Sequence, residues 1–444
     1  MAQFAGGLEF NTSRPVRLDA PPVTMTARPL RLTLKRKPGL AVGQAVEPGT
    51  LLNPSTEHDP VGVISPLAGR VTQVLPWRWG GRRWFDVTIE PAEKQSATSL
   101  ERRPPRGREV SEWLAAMAAC GPWPEYGLGE RWDLLEQLAA VRRSKPPVMV
   151  ICVGLDALSA YPDRSTLLRS FPDDAALGVK VLAELCNARR GKLVADARLP
   201  GLRRLRRRCR DFGIHFAGVA NVYPAADPTL IVAEHAPRRL ASAGLPNGAN
   251  PVSRRVVLTT PWTVIRLARW VTRGQVDLVR PMVVGWSTVG EPVSPNWTWP
   301  GQRLSTLAPA LAGKAADLRG RAVVGHPMTG RSIVTPVGPD GPLPPTVPTH
   351  EQLVCLVTQP LPPRPEPCIH CGWCAEVCPT RLRPIHLAQL AERGERGERL
   401  TGPLQWCIDC GLCTHVCPTH LPLAQTLREA KARLAERSGG GPSD

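Results

Sequence analysis

Residues 368–379 read Cys368-Ile369-His370-Cys371-Gly372-Trp373-Cys374-Ala375-Glu376-Val377-Cys378-Pro379. Residues 407–418 read Cys407-Ile408-Asp409-Cys410-Gly411-Leu412-Cys413-Thr414-His415-Val416-Cys417-Pro418. Both runs are C-x2-C-x2-C-x3-C-P, the spacing that holds [4Fe–4S] clusters on thiolates. Thiolates at i, i+3 and i+6 wrap the corners of one cubane. Gly372 and Gly411 let the backbone approach sulfur and aim N–H groups at it, and the proline after the fourth cysteine turns the chain away. In two-cluster modules the fourth cysteine of a run serves the other cluster. The expected ligand sets are therefore Cys368, Cys371, Cys374 and Cys417 for one cluster, and Cys407, Cys410, Cys413 and Cys378 for the other. Zinc, the rival reading, takes pairs of C-x2-C and has no use for a fourth cysteine with a trailing proline.

The 28 residues between Cys378 and Cys407 exceed what a compact ferredoxin needs, and His386 to Arg399 within them are helix-prone. Leu423 to Arg437 reads as a closing helix. The expectation over 368–437 is a helical ferredoxin domain with two [4Fe–4S] clusters. Neighbouring clusters of this kind pass single electrons, at potentials set by burial and N–H···S bonds. His370 and His415 are read as neighbours of the clusters and not as ligands. The other five cysteines, Cys120, Cys152, Cys186, Cys209 and Cys355, share no ligand spacing and read as buried apolar residues.

Working outward, the 444 residues carry a net charge of +18 with a pI near 9.9. The excess is local. Residues 140–280 hold 24 basic and 10 acidic groups, net +14, whereas residues 360–444 hold 10 and 9. No run of apolar residues is long enough to span a membrane, and Met1 to Phe10 lacks the basic start and apolar run of a signal peptide. Cysteines grouped this way, without an export signal, read as metal chemistry in a reducing compartment and not as a disulfide framework.

The first region reads as short strands separated by Pro and Gly, a small barrel or sandwich: Leu30 to Leu34, Val61 to Ile64, Arg70 to Val74 and Phe85 to Ile89. Helices expected at Trp132 to Val141, Ala175 to Ala188, Leu202 to Phe212 and Thr263 to Val271 alternate with strands at Pro147 to Val153 and Leu193 to Asp196, an α/β signature. Short strands return at Met282 to Val284 and Arg321 to Val324. Pro339 to Pro348 and Pro360 to Pro367 read as linkers. In the helix around 202–212, Leu202, Leu205, Cys209 and Phe212 face inward. Arg203, Arg204, Arg206, Arg207, Arg208 and Arg210 face outward, as a solvated face or as a surface for anionic lipid or an acidic partner. No basic–aromatic pattern accompanies them, which argues against nucleic acid.

These features together resemble the C-subunit family of the Rnf (Rsx) electron-transport complex, as a divergent member. The likeness is carried by CIHCGWCAEVCPTRLRP and CIDCGLCTHVCPTHLPLAQTLREAKARL. Gly6-Gly7-Leu8, the segment Val63-Ile64-Ser65-Pro66-Leu67-Ala68-Gly69-Arg70-Val71, Tyr223-Pro224, Val279 to Pro292 and Gly325 to Gly330 add to it. The resemblance implies a multidomain α/β plus β fold. Its parts are a barrel-sandwich hybrid domain over 1–100, a central flavin-subunit-like α/β domain over 110–275, and a β-grasp-like region over 276–338. A Pro-rich linker over 339–367 and the dicluster domain follow. It also implies peripheral association with the cytoplasmic side of the cell membrane, membrane subunits of an Rnf-like complex as partners, and ferredoxin or another soluble redox partner. FMN and NADH are implied for the central domain, but this chain departs from both motifs. The glycine-rich loop is replaced by Gly121-Pro122-Trp123-Pro124-Glu125-Tyr126-Gly127-Leu128-Gly129-Glu130, which keeps only Gly127 and Gly129 and adds Glu130, which would repel phosphate. The second motif is replaced by Cys152 to Tyr161. A scaffold without flavin is the expectation, so intrinsic NADH dehydrogenase activity is not expected. No lysine lies between Lys37 and Lys94, so the first region carries no biotinyl or lipoyl arm. Three functions compete: a relay in an Rnf-like complex, a flavin-free dicluster adaptor for another redox complex, and a scaffold with structural clusters.

Overall fold

The computed structural model describes residues 15, 17–34, 37–53, 63–79, 82–92, 95–107, 109–121, 123, 125, 133–158, 161–237, 245–246, 249–286, 295–302, 321–324, 328, 331–334, 353–357 and 364–437. Several sequence expectations lie outside these residues: Gly6-Gly7-Leu8, most of Gly325 to Gly330, the Pro339 to Pro348 stretch, and Tyr126 to Glu130 with Gly127 and Gly129.

The N-terminal strands are Thr24–Thr26 (β1), Leu30–Leu34 (β2), Ala45–Val46 (β3), Leu51–Asn53 (β4), Val63–Ile64 (β5), Gly69–Trp79 (β6), Arg82–Pro91 (β7), Gln95–Ala97 (β8) and Ser99–Glu101 (β9). An antiparallel sheet runs in the order β2-β7-β6-β3, while β4 pairs with β5 and β1 with β8. Strand period explains β2: Leu30, Leu32 and Leu34 are buried, and Arg31 and Thr33 point the other way. The leucines pack with Val87, Ile89 and Trp299. Opposite them, the buried Asp86 carboxylate pairs with Arg31 and accepts a hydrogen bond from Thr33 Oγ1 at 2.7 Å.

The central strands are Met149–Gly154 (β10), Arg190–Asp196 (β11), His215–Val219 (β12) and Val256–Thr259 (β13), all parallel, in the order β12-β11-β10-β13. Every residue of β10 is buried. Val150 and Cys152 feed one core, while Met149, Ile151 and Val153 feed the other, as expected of a strand with helices on both faces. The helices Pro172–Leu185 and Pro261–Arg273 lie against each other. A Cβ at Gly178 would overlap the Val264 carbonyl, so only glycine permits their approach. Because β11 and β12 extend to one side of β10 and β13 lies on the other, the winding direction reverses between β10 and β13. Gln275–Asp277 (β14) pairs with β9, and Arg102 N–H donates to the Gly274 carbonyl at 2.8 Å, joining the N-terminal region to the central one.

A mixed sheet follows: Arg280–Trp286 (β15), Pro295–Thr298 (β16), Arg321–Val324 (β17), Arg331–Val334 (β18) and Leu353–Val357 (β19), in the order β16-β15-β19-β17-β18. Strand β19 falls inside the stretch expected to be a linker, and that expectation fails there. Leu-Val-Cys-Leu-Val is an apolar run of strand length, and its backbone is paired on both sides, with β15 and β17. The helix-prone stretch between the cysteine runs forms two helices, Pro384–Glu392 and Glu398–Leu404. Gly394, at φ +73°, ends the first. With the closing helix Leu423–Arg437 they enclose a core of Leu387, Leu400, Leu404, Leu423 and Leu427.

The Gly178 contact is testable. Gly178→Val forces the two helices apart at a packed crossing, a change that costs about 1–3 kcal/mol or more. The thermal midpoint of the full chain should fall relative to wild type.

Candidate functional site

The two cysteine runs fold as one structure repeated 39 positions apart. His370 and Asp409 take φ of 57° and 55°, Gly372 and Gly411 take 84° and 81°, and Arg381 and His420 take 56° and 55°. Each glycine precedes a one-turn helix, Trp373–Glu376 or Leu412–His415. These left-handed turns point amides at sulfur. His370 N–H donates to Cys368 Sγ at 3.4 Å, and Leu382 N–H donates to Cys378 Sγ at 3.3 Å. Backbone hydrogen bonds from Ile385, Asp409, Leu412 and Thr414 reach Cys374, Cys407, Cys410 and Cys413. The Thr380 and Thr419 hydroxyls stand 3.5 and 3.4 Å from Cys378 and Cys417 at matching positions.

Electrostatic neighbours relate the thiols of the two runs: Cys378 bears on a second group, Cys407, Cys410 and Cys413, and Cys374 bears on Cys413 as well. Cys368 and Cys371 act on Cys374. Burial pushes the Cys407 thiol up to about 11 and Cys413 up to about 12, and raises Cys410 strongly. At Cys417 burial also pushes upward, but the Thr419 hydroxyl and the amides of Leu421, Thr419 and His420 outweigh it and hold the thiol below its ordinary value. A cluster takes its ligands as thiolates, so iron binding must supply the ionisation that burial opposes in the second group. Eight thiols in two amide-lined loops suit two cubanes. Among the described residues, no three His, Cys, Asp or Glu side chains converge as ligands of a single metal ion would. A cubane instead takes its four thiolates on four separate irons.

The surroundings of the two groups differ. Cys371 is exposed. Around the second group, the Tyr223 hydroxyl donates to the Cys410 carbonyl, and Leu412 and Val377 pack with Leu158, Tyr161, Tyr223 and Val283. Lys431, on the closing helix, donates to the Cys407 carbonyl and to Asp409 Oδ2 at 2.7 Å. Neither Lys431 nor the contact of Tyr223 with the cysteine loop was legible in the sequence. The other described cysteines, Cys120, Cys152, Cys186 and Cys209, are free and buried, as expected; burial pushes Cys186 and Cys209 up to about 12.

The implied flavin domain has its own candidate site, because α/β sheets bind ligands outside the carboxyl ends of their strands where the winding reverses. Here acids of the chain itself fill that place. Glu125 is buried, and its Oε2 accepts from Thr260 N–H at 2.7 Å, Thr260 Oγ1 at 2.9 Å and Thr263 Oγ1 at 3.0 Å, at the N-terminus of the helix that follows β13. A helix N-terminus is where a phosphate would bind; the carboxyl group stands there instead. After β10, Asp156 accepts from the amides of Arg164 and Ser165, each at 2.8 Å, and from the Ser165 hydroxyl at 2.6 Å. A cleft of about 490 Å³ opens by Val141, Pro146, Glu184 and Asn187, at the amino-terminal end of the sheet.

Burial pushes Glu125 from 4.5 up to about 8. The unfolded chain therefore ionises this group at lower pH than the folded chain does. Stability contributed by Glu125 is full below about pH 4.5 and declines as pH rises to about 8. Denaturation midpoints measured across that range should fall less steeply in Glu125→Gln than in wild type.

With this geometry in view, residues 367–421 match the 4Fe-4S dicluster domain family. The comparison with curated proteins finds no match. Among solved structures, the chain is similar to one described as NAD+-reducing [NiFe]-hydrogenase in the H2-reduced state. That similarity has 16% identity and a TM-score of 0.41, and covers 72% of this chain and 65% of that one. The air-oxidised state of the same enzyme gives 14% identity and 0.41, covering 70% and 65%. The chain thus spans less than two thirds of those chains. What is established is a mixed α/β multidomain protein whose C-terminal helical region contains a 4Fe-4S dicluster domain.

Proposed function

We propose that this chain is an electron-transfer subunit that relays single electrons through two [4Fe–4S] clusters. Cys368, Cys371, Cys374 and Cys417 would hold one, and Cys407, Cys410, Cys413 and Cys378 the other. The observation that carries the reading is the matched pair of amide-lined cysteine loops within a dicluster domain. Cys378 bears on all three thiols of the second triplet, whereas Cys374 bears on Cys413 alone, which supports grouping Cys378 with that triplet. The clusters supply one-electron chemistry when bound. The chain supplies the thiolates, the N–H donors that stabilise charge on sulfur, the Lys431 ammonium beside Cys407, and the apolar cover over the second loop.

The complex in which the relay works is read from the resemblance: an Rnf-like membrane-associated complex, entered from the cytoplasmic side. Among the described residues no helix is long and apolar enough to cross a membrane. The Arg-rich helix is the candidate surface for an acidic subunit or anionic lipid. Part of its charge is already used, since Arg204 and Arg208 each bond Asp173 at 2.8 Å and Arg206 lies over the Phe216 ring. Arg203, Arg207 and Arg210 are the exposed residues that remain for this role.

For the central domain we propose a scaffold without flavin, because Glu125 occupies the helix N-terminus that a phosphate would need. The same observation favours a second reading, a flavin-free dicluster adaptor for a different redox complex. Neighbouring genes for Rnf-type membrane subunits would separate the two.

Anaerobic reconstitution should load about eight irons per chain and give two reducible signals by electron paramagnetic resonance. Cys378→Ala and Cys410→Ala should lose the same signal, and Cys371→Ala and Cys417→Ala the other. Loss of one signal by both Cys378→Ala and Cys371→Ala would show uncrossed ligation, and the absence of any reducible signal would end the relay reading. The visible spectrum of purified protein should show no stoichiometric FMN; bound FMN with NADH-dependent cluster reduction would overturn the scaffold reading.

A further inference from the structure

The two cysteine runs and the helices that follow them align position for position at the 39-residue offset. Cys368 matches Cys407, and Pro384 matches Leu423, where the helices Pro384–Glu392 and Leu423–Arg437 begin. Hydrogen bonds to sulfur follow the same match. His370 N–H donates to Cys368 and Asp409 N–H to Cys407. Leu382 N–H donates to Cys378 and Leu421 N–H to Cys417, each beside a threonine hydroxyl. A little further along, the match breaks. The amide of Ile385, in the first turn of its helix, donates to Cys374. Its counterpart is the amide of Ala424, which donates to the Thr414 hydroxyl oxygen at 2.8 Å. The residue matched to Thr414 is Ala375, which has no side-chain acceptor. Both residues are half-buried, and each directly follows the third cysteine of its run.

Amides in the first turn of a helix have no acceptor within the helix. In the first loop sulfur takes that place; in the second a hydroxyl competes for it and holds the donor at normal hydrogen-bond length. A hydrogen bond to a ligating sulfur stabilises the negative charge that reduction adds, so each such bond raises a cluster's potential. Resting on the relay reading above, we propose that Thr414 holds the second cluster at a lower potential than its loop would otherwise give, by keeping the Ala424 amide from Cys413. Ala375 leaves the Ile385 amide to Cys374, so the first cluster keeps that stabilisation. Thr414 is a positioning residue, acting through the amide it holds. When one electron passes from the second cluster to the first, the second is oxidised by one and the first reduced by one. Thr414 shifts that equilibrium toward the first cluster. Lys431 bears on a different ligand, Cys407, and a change at Thr414 leaves it in place.

The test is a redox titration of the full chain, reconstituted anaerobically and followed by electron paramagnetic resonance. The signal lost in Cys410→Ala marks the second cluster, and the signal lost in Cys371→Ala marks the first. Thr414→Ala and Thr414→Val should each make reduction of the second cluster more favourable by ~threefold to tenfold in its equilibrium constant. Tenfold is about 59 mV for one electron. The first cluster's midpoint should not move. Thr414→Ser, which keeps the acceptor, should stay at the wild-type midpoint. Ala375→Thr should do the reverse at the other site, lowering the first midpoint by a similar factor and leaving the second unchanged. Iron content should match wild type in all four variants. An unchanged second midpoint in both Thr414→Ala and Thr414→Val overturns the proposal and leaves the relay intact. A shift of both clusters together, or a serine variant that behaves like the alanine one, also overturns it. A wild-type chain with no reducible signal removes the relay and this proposal with it.

Discussion

Tyr223 leaves the end of β12 and donates its hydroxyl hydrogen bond to the carbonyl of Cys410, in the middle of the second cysteine loop. Around that bond Leu158, Tyr161 and Val283 close over Leu412, and Met328 comes up to Gly411. The contact attaches the dicluster domain to the carboxyl edge of the parallel sheet, where Val377 of the first run packs in the same cluster as Leu412. Thiols on the covered side are pushed up by burial, Cys407 to about 11 and Cys413 to about 12. The first loop keeps Cys371 at the surface. Burial disfavours added negative charge, and a nearby ammonium favours it. Lys431 therefore works against burial at Cys407, held there by Asp409, where the first loop has His370 at the matching position.

The carboxyl edge of a doubly wound sheet is ordinarily where such folds hold a ligand. In this chain the edge is given over to internal contacts. Glu125 and Asp156 satisfy the first amides of two helices, and Tyr223 reaches the cysteine loop. An acid kept uncharged by burial, as Glu125 is below about pH 8, adds no fixed charge there. Among the described residues, these internal contacts occupy the edge that carries the dicluster domain.

Much of this fold is legible in the chain for local reasons. The helices at 172–185, 202–211, 261–273 and 423–437 and the strands at 30–34 and 149–154 follow from the spacing of apolar residues along the chain. Strand β19 does not, because the prolines around Leu353 to Val357 outweigh a five-residue apolar run whose partners lie far away in sequence. Sequence reasoning singles out Glu130 and passes over Glu125, since nothing local says which acid meets Thr260. The pairing of Arg204 and Arg208 with Asp173 joins residues more than thirty apart, so the Arg-rich face looks more uniformly available in the sequence than it is in the fold.

By itself the sequence determined the chemistry: eight thiols at cubane spacing, glycines at the two left-handed turns, and prolines that end each run. Ligand spacing within a loop is set by covalent geometry, and a glycine at φ near +80° is a local steric requirement. Only the tertiary structure decided that Leu412 is covered while Trp373 is exposed, that Lys431 reaches the Cys407 carbonyl, and that the Glu125 carboxyl stands at the N-terminus of the helix after β13. Those outcomes depend on contacts between residues far apart in the chain, and two nearly identical cysteine runs carry no local signal that distinguishes them.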